Sequence, residues 1–241
     1  RPEYLYAVPN YIVSMMNEND LGSTYLNIDG IKGKFAFYDH HKCHSYCSHY
    51  LSPFKESINV SIDGRGERKT SSINSIIDNH YHEIANTMYP SSLGLFYGSF
   101  TQYCGFKPHS DEWKFMALAS ISTNKSKVNF FKSILDRVIW LEGYNIQLDM
   151  AYFSYDQPDI YGKNWTKNNL TDLIKLPPII KWDDNRENNN EYYDLAKAVQ
   201  LKFEEIVYEL IKACRNNYKI NNFTITGGCA MNSVCNGKLH K

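Results

Sequence analysis

The stretch from Asp194 to Cys214 constrains the fold most, because its apolar residues recur every three or four positions. These residues are Leu195, Val199, Phe203, Ile206, Val207, Leu210 and Ile211. On an α-helix this spacing builds one apolar face, which is typical of a helix that packs on a globular core. The chain has 241 residues, which is ample for a buried core in one large domain or two small ones.

A strand and its return are predicted earlier in the chain. Ile58, Val60 and Ile62 alternate with polar residues, which is the pattern of a half-buried strand. Residues 63–66 read Asp-Gly-Arg-Gly and predict a tight turn, and residues 69–77 predict the returning strand.

Helices are interspersed with these strands. Residues 93–103 are apolar enough for a buried helix, and a second, amphipathic helix is marked by Phe131, Leu135, Val138 and Ile139. Near the C-terminus, residues 223–226 predict a short strand, residues 230–237 a helix after it, and residues 182–191 form a polar loop. The fold class is therefore α/β or α+β.

Composition narrows the kinds of partner. The formal net charge is +0, with 43% hydrophobic and 22% charged residues, so neither disorder nor a large nucleic-acid footprint is expected. No apolar run reaches the ~18 residues of a membrane span, which predicts a soluble protein without a membrane partner. The six cysteines and the lack of a signal-peptide pattern favour reduced thiols and a cytoplasmic location over disulfides.

A histidine pair in a polar, helix-like segment is the first candidate site. His40 and His44 are four residues apart, so on a helix they share one face and could bind one ion; Fe, Zn, Cu and Ni all remain open. His41 projects roughly 100° away and could orient a substrate. Cys43 and Cys47 lie on another face and are interpreted as small packing residues. The alternative is a polar helix face without a metal.

Two further segments could carry chemistry. Asp63 follows a predicted strand and precedes glycines, where a carboxylate could meet a metal or phosphate, or could merely cap a hairpin turn. Gly227 and Gly228 link a strand to a helix, so backbone N–H groups could approach a phosphate, or the link could be ordinary. Between them, Lys114 could neutralise a phosphate while Glu112 holds the lysine in place, or both could be surface charges.

Taken together and in order, these segments resemble the O-carbamoyltransferase family that includes nodulation-factor and antibiotic carbamoyltransferases. The resemblance is carried by five blocks. They are His40-His41-Lys42-Cys43-His44 through Ser52-Pro53-Phe54; Asp63-Gly64-Arg65-Gly66-Glu67; Ser92-Leu93-Gly94-Leu95-Phe96-Tyr97 with Thr101-Gln102-Tyr103-Cys104-Gly105-Phe106; Asp111-Glu112-Trp113-Lys114-Phe115-Met116-Ala117-Leu118-Ala119; and Gly227-Gly228-Cys229-Ala230-Met231-Asn232 with Asn236-Gly237. Asp111 and Ala117 replace glycines of the family pattern.

The resemblance implies an actin, sugar-kinase and heat-shock ATPase type of fold, close to the domain that transfers threonylcarbamoyl to tRNA. In that family, carbamoyl phosphate and ATP form carbamoyl-adenylate in a second domain, and the carbamoyl group passes to a hydroxyl of a small molecule, sugar or nucleoside. Nucleic acid is therefore expected only as a modified-nucleoside acceptor. Residues 1–241 would be the carbamoyl-transfer domain, incomplete at both ends and without the adenylate-forming C-terminal domain.

The resemblance also implies roles for individual residues. His40, His44 and Asp63 would hold Fe(II) or another divalent metal. Gly227 and Gly228 would face the phosphates of ATP or carbamoyl-adenylate, with two more residues near the nucleotide, Asn232 and Lys114. His41 would orient or deprotonate the acceptor hydroxyl. Two alternatives remain open: tRNA threonylcarbamoyl transfer, and a non-catalytic nucleotide-binding or assembly protein that retains the fold.

Overall fold

The computed structural model describes residues 21–28, 30–157, 163–185 and 189–239. Within these ranges the strands are β1 (Leu21–Ile28), β2 (Ile31–Tyr38), β3 (Glu56–Ile62), β4 (Lys69–Ile77), β5 (His80–Met88), β6 (Ile139–Glu142), β7 (Asn145–Leu148) and β8 (Phe223–Thr226). The α-helices are α1 (His40–Leu51), α2 (Leu93–Tyr103), α3 (Glu112–Leu118), α4 (Lys125–Leu135), α5 (Asn168–Ile174), α6 (Asn189–Asn217) and α7 (Ser233–Leu239), and a 3₁₀ helix spans Gly228–Met231.

The central sheet has the strand order β5-β4-β3-β8. Strands β5, β4 and β3 are antiparallel neighbours, whereas β8 runs parallel to β3. The register of the parallel pair aligns Ser61 with Thr226, so the ends of β3 and β8 lie side by side. The residues that follow these two strands, Asp63 and Gly227, are thereby brought to the same edge of the sheet.

Strand β3 is buried on both faces, so the prediction of a half-buried strand is wrong. Ile58, Val60 and Ile62 lie in the hydrophobic core, and the intervening Ser57 and Asn59 are equally buried. Helix α1 covers this polar face and hydrogen-bonds to it: His49 Nδ1 lies 2.8 Å from Ser57 Oγ. Polar residues alternate along β3 because they meet a polar helix, not because they meet water.

The long helix α6 packs against α4, α2 and α3, as its apolar face predicted. Its Phe203 ring lies 5.3 Å from the Tyr97 ring of α2, and Phe115 of α3 lies 5.1 Å from the same ring. The predicted helix over 93–103 matches α2. Helix α6 begins at Asn189, inside the predicted polar loop, whose residues 186–188 lie outside the described residues.

Two predicted helices have different bounds in the structure. The amphipathic helix ends at Leu135, and Ile139 instead opens strand β6 opposite Leu148. Val138 and Ile139 are fully buried, so their apolar character reflected burial and not helical structure. The helix predicted over 230–237 is interrupted at Asn232, between the 3₁₀ helix and α7. Among the described helices, none is long and apolar enough to cross a membrane.

Candidate metal centre and adjoining cavity

Three polar atoms from α1 and the end of β3 meet at one point. The Nε2 atom of His40 lies 3.0 Å from Asp63 Oδ2, and the Nε2 atom of His44 lies 3.1 Å from the same oxygen. The two Nε2 atoms are themselves 3.1 Å apart. Helix α1 starts at His40 because the Asp39 side chain caps it, accepting from Lys42 N at 2.8 Å. Both imidazoles therefore project from the first turn and a half of α1 towards β3.

The donor set fits a divalent cation. An imidazole nitrogen carries at most one proton, so hydrogen bonds alone do not satisfy all three contacts. If both Nε2 atoms donate to Asp63, two N–H groups face each other across 3.1 Å. A metal ion at this point would accept a lone pair from each atom, and two imidazole nitrogens with one carboxylate oxygen suit iron(II) or zinc. Within the described residues this is the one group of three with metal-binding geometry.

Hydrogen bonds keep the Asp63 carboxyl group in its ionised form. Burial favours the neutral acid, but hydrogen bonds from His40, from the Gly64 N–H and from His44 outweigh it and hold the pKa of Asp63 well below its usual range. The hydrogen bond to Asp63 raises the pKa of His40 in turn, despite burial. Gly64 N donates to Oδ1 at 2.7 Å, which leaves Oδ2 directed at the two rings.

His41 lies behind this cluster. Its ring is fully buried, with Nδ1 3.1 Å from Ser61 Oγ and Nε2 3.0 Å from the carbonyl oxygen of Lys69. Because a carbonyl only accepts, Nε2 donates to Lys69 and Nδ1 accepts from the serine hydroxyl. Burial lowers the pKa of His41, which favours the neutral ring. This burial disagrees with the expectation that His41 contacts an acceptor hydroxyl.

A cavity of ≈ 530 Å³ adjoins the cluster, and Asp63 belongs to both. The cavity is bounded by the loop after β3, by α2 and α3, and by the glycine turn. Its walls are Asp63, Gly64, Arg65, Gly94, Tyr97, His109, Ser110, Glu112, Trp113, Met116, Phe203, Gly228, Cys229, Met231 and Asn232. The volume lies within the range of about 300–1,000 Å³ that is usual for small-molecule sites.

The glycine pair after β8 is packed against the end of β3. Gly227 has φ +88°, and a Cβ atom there would lie 2.3 Å from the carbonyl oxygen of Ile62. Gly228 lines the cavity, and its Cβ would lie 3.0 Å from Asp63 Oδ1. The structure thus brings together the histidine pair, the aspartate and the glycine turn, which are far apart in sequence.

Asn232 lines the cavity, but its amide group is paired with Gln200, a residue that the sequence did not single out. Asn232 Nδ2 donates to Gln200 Oε1 and Gln200 Nε2 donates to Asn232 Oδ1, each at 3.0 Å. Tyr97 also donates to Gln200 Oε1, at 2.8 Å, and Asn232 Oδ1 accepts from Cys235 N at 3.0 Å. The pair therefore joins α6 to the start of α7 beneath the cavity.

Replacing Asn232 by Ala is expected to lower the free energy of unfolding by about 1–3 kcal/mol, because the buried Gln200 amide loses both of its hydrogen bonds with Asn232 and keeps only those with Tyr97 and Glu204. Urea denaturation followed by circular dichroism measures the change. The control is Asn221→Ala, at an exposed position, for which little change is expected. Equal stability of the Asn232 variant and the wild type would contradict the structural role of this pair.

Lys114 points elsewhere. Its Nζ atom lies 2.9 Å from Asp111 Oδ1 and 5.3 Å from the centre of the Trp113 ring, and Lys114 is not part of the cavity wall. Glu112 does line the cavity, and its Oε1 accepts from His109 N at 2.6 Å. Asp111, which replaces a glycine of the family pattern, thus provides the partner of Lys114.

Arg65 was not predicted as a site residue. Its guanidinium lies 4.2 Å from the centre of the Tyr89 ring while the residue lines the cavity. It occupies the position between the two glycines of the turn after β3, and nothing in the local pattern marks that position. The cysteine interpretation is corrected as well: all six cysteines are free, but Cys43 and Cys47 are exposed and so do not pack in the core.

Comparison with known proteins identifies the group to which the chain is similar. The family model described as carbamoyltransferase N-terminus matches residues 4–241. An uncharacterized protein of Synechocystis sp. is 32% identical over 204 residues, covering 84% of this chain and 31% of the relative. Nodulation protein NolNO of Sinorhizobium fredii is 24% identical over 213 residues, covering 86% of this chain and 27% of the relative.

A third relative has similar identity and coverage. Nodulation protein NolO of Bradyrhizobium diazoefficiens is 23% identical over 201 residues, covering 83% of this chain and 33% of the relative. The chain thus spans about a third of the length of the curated relatives it matches (31%, 27% and 33% for the three). Since the family model matches nearly the whole chain, the protein belongs to the carbamoyltransferase family, in the part described as the carbamoyltransferase N-terminus.

Proposed function

We propose that this chain is the carbamoyl-transfer region of an ATP-dependent O-carbamoyltransferase. The carbamoyl group would come from carbamoyl phosphate by way of carbamoyl-adenylate and pass to a hydroxyl of a small molecule, sugar or nucleoside. Family membership supports a transferase. The observation that carries the proposal is the convergence of His40, His44 and Asp63 beside a cavity of ≈ 530 Å³, whose wall includes Asp63.

The role proposed for each residue follows from its contacts. Fe(II) or another divalent cation held by His40, His44 and Asp63 would supply a Lewis acid for phosphate oxygens. The Asp63 carboxylate, whose Oδ1 accepts from Gly64 N, would balance part of the charge of that cation. Gly228 has no side chain, so a phosphate can approach its backbone from the cavity. Buried His41 holds α1 on the sheet through Ser61 and Lys69, and so orients its neighbours.

The proposal extends to the fold and the location. A mixed sheet with helices, in which β8 runs parallel to β3 next to two antiparallel neighbours, supports an actin-like ATPase fold. Free cysteines, two of them exposed, suit a reducing compartment and support a cytoplasmic location. Nucleotide contacts by Lys114 and Asn232 remain predictions.

The test uses the whole polypeptide that contains this region, with Fe(II) under anaerobic conditions. We expect label from carbamoyl phosphate to enter a hydroxyl-bearing acceptor in the presence of ATP, with little consumption when the acceptor is absent. Sugars, nucleosides and aminoglycosides form the acceptor panel. His44→Ala, which removes a proposed ligand, should abolish transfer.

Two outcomes would favour the alternatives. Tight ATP binding without product from any acceptor would indicate a non-catalytic nucleotide-binding protein. Labelled threonine that enters tRNA would indicate threonylcarbamoyl transfer. Transfer that is undiminished after metal removal with a chelator and in His44→Ala would contradict the role given to the histidine cluster.

A further inference from the structure

The hydroxyl groups of β3 and β8 contact two imidazoles of α1. The parallel register pairs Ser61 with Thr226, and residues paired in register direct their side chains to the same face of a sheet. On that face Ser61 Oγ lies 3.1 Å from His41 Nδ1, and Thr226 Oγ1 lies 3.3 Å from His44 Nδ1. The paired residues Ser61 and Thr226 therefore contact the rings of His41 and His44.

The contact with His44 involves the ring nitrogen that is not in the cluster. His44 Nε2 lies 3.1 Å from Asp63 Oδ2, so Nε2 is the atom that would bind a cation. A nitrogen that binds a cation must offer its lone pair, and the proton of a neutral imidazole then resides on Nδ1. That proton requires an acceptor, and the Thr226 hydroxyl oxygen is at hydrogen-bond distance.

We infer that Thr226 is a positioning residue for the metal centre: its hydroxyl accepts the Nδ1–H of His44 and so fixes the tautomer and ring orientation for cation binding. The inference rests on the proposed metal centre. It adds a residue outside the ligand set, and Thr226 acts through His44 without touching the cation or a substrate.

Thr226 is held rigidly enough for this role. It ends strand β8, whose ladder with β3 includes the pair Ser61–Thr226. The next residue, Gly227, is packed so closely on Ile62 that a side chain would not fit. Asp63 follows Ile62 directly, so the ligand on β3 and the hydroxyl on β8 are fixed relative to each other by the same strand pair.

Thr226→Val tests the inference because valine has nearly the same shape, suits a strand and lacks the hydroxyl. We expect Co(II) and Fe(II) affinity, measured by isothermal titration calorimetry on the full chain, to fall about 10–100-fold, the usual effect of removing an outer partner of a metal-binding histidine. Thr226→Ser keeps the hydroxyl and should restore most of the affinity. In the Zn(II)-loaded protein, NMR of His44 should show faster exchange of the Nδ1–H proton with water in Thr226→Val than in the wild type, because that proton has lost its acceptor.

The matched control is Thr224→Val. Thr224 lies two residues earlier on the same face of β8; its hydroxyl donates to Asn59 Oδ1 at 2.5 Å and lies 2.9 Å from Ser48 Oγ, so its contacts are with residues outside the cluster. This variant should lose stability and keep its metal affinity. The inference is overturned if Thr226→Val binds as well as the wild type, if Thr224→Val weakens binding equally, or if Thr226→Ser gives no rescue. Wild-type protein that binds no divalent cation would overturn the proposed metal centre together with this inference.

Discussion

Asp63→Asn is expected to bind divalent cations at least about 100-fold more weakly than the wild type. This loss exceeds the one typical when a hydrogen-bond partner of a metal-binding side chain is removed. The amide has the same shape as the carboxylate but no charge, and a neutral amide oxygen is a poorer ligand. Asp63 Oδ2 is the atom shared by the contacts with His40 and His44, so the substitution removes the centre of the cluster. Calorimetric titration with Co(II) measures the effect.

Asp172→Asn is the control for this substitution. Asp172 is exposed on α5, outside the metal-binding group and the cavity wall, so its neutralisation should leave cation affinity unchanged. If Asp63→Asn and Asp172→Asn bind Co(II) alike, the cluster is not the cation site. A fall in affinity for both would indicate binding by general charge attraction.

Gly227→Ala is expected to lower the free energy of unfolding by more than about 3 kcal/mol, because two costs add. Gly227 has φ +88° and ψ 173°, a backbone region that is essentially restricted to glycine. The added methyl carbon would also lie 2.3 Å from the carbonyl oxygen of Ile62, so β3 or the turn must shift. Urea denaturation measures the loss.

Gly143→Ala separates these two costs. Gly143 also has a positive φ, +63°, but a Cβ there meets nothing within 4 Å. Substituting Gly143 by alanine should lower the free energy of unfolding only by the cost of the left-handed backbone conformation, about 1–2 kcal/mol. Equal losses at Gly143 and Gly227 would mean that the close approach to Ile62 contributes nothing to stability.

Local periodicity predicted the elements that depend on a single apolar face. Helices α2 and α6 agree with their sequence patterns because each buries a stripe of apolar residues against the core. The pattern was misleading where burial had another cause. Val138 and Ile139 continue the apolar spacing of α4, but they are buried in a loop and a strand beyond its end.

The polar face of β3 shows a second limit of prediction from sequence patterns. Ser57, Asn59 and Ser61 look like solvent-facing residues, since alternation alone does not reveal what covers a strand. Their partners are polar residues of α1, such as Ser48, whose hydroxyl lies 3.3 Å from Asn59 Oδ1. A buried polar layer of this kind depends on pairing between elements and is visible only in the fold.

In the candidate site, too, local spacing predicted some features, whereas others depend on contacts between distant elements. The four-residue spacing placed His40 and His44 on one face, but the contact with Asp63 depends on how α1 sits on β3, and only the family resemblance suggested it. The pairing of Gln200 with Asn232 spans 32 residues and leaves no local pattern. The same is true of the contact between Thr226 and His44, which joins residues 182 positions apart.

The most direct measurement is the anomalous diffraction of crystals grown anaerobically with Fe(II), recorded at the iron absorption edge. We expect one strong anomalous peak at bonding distance from His40 Nε2, His44 Nε2 and Asp63 Oδ2. A map with no peak there, or with its strongest peak on other side chains, would contradict the assignment of this cluster as the metal centre.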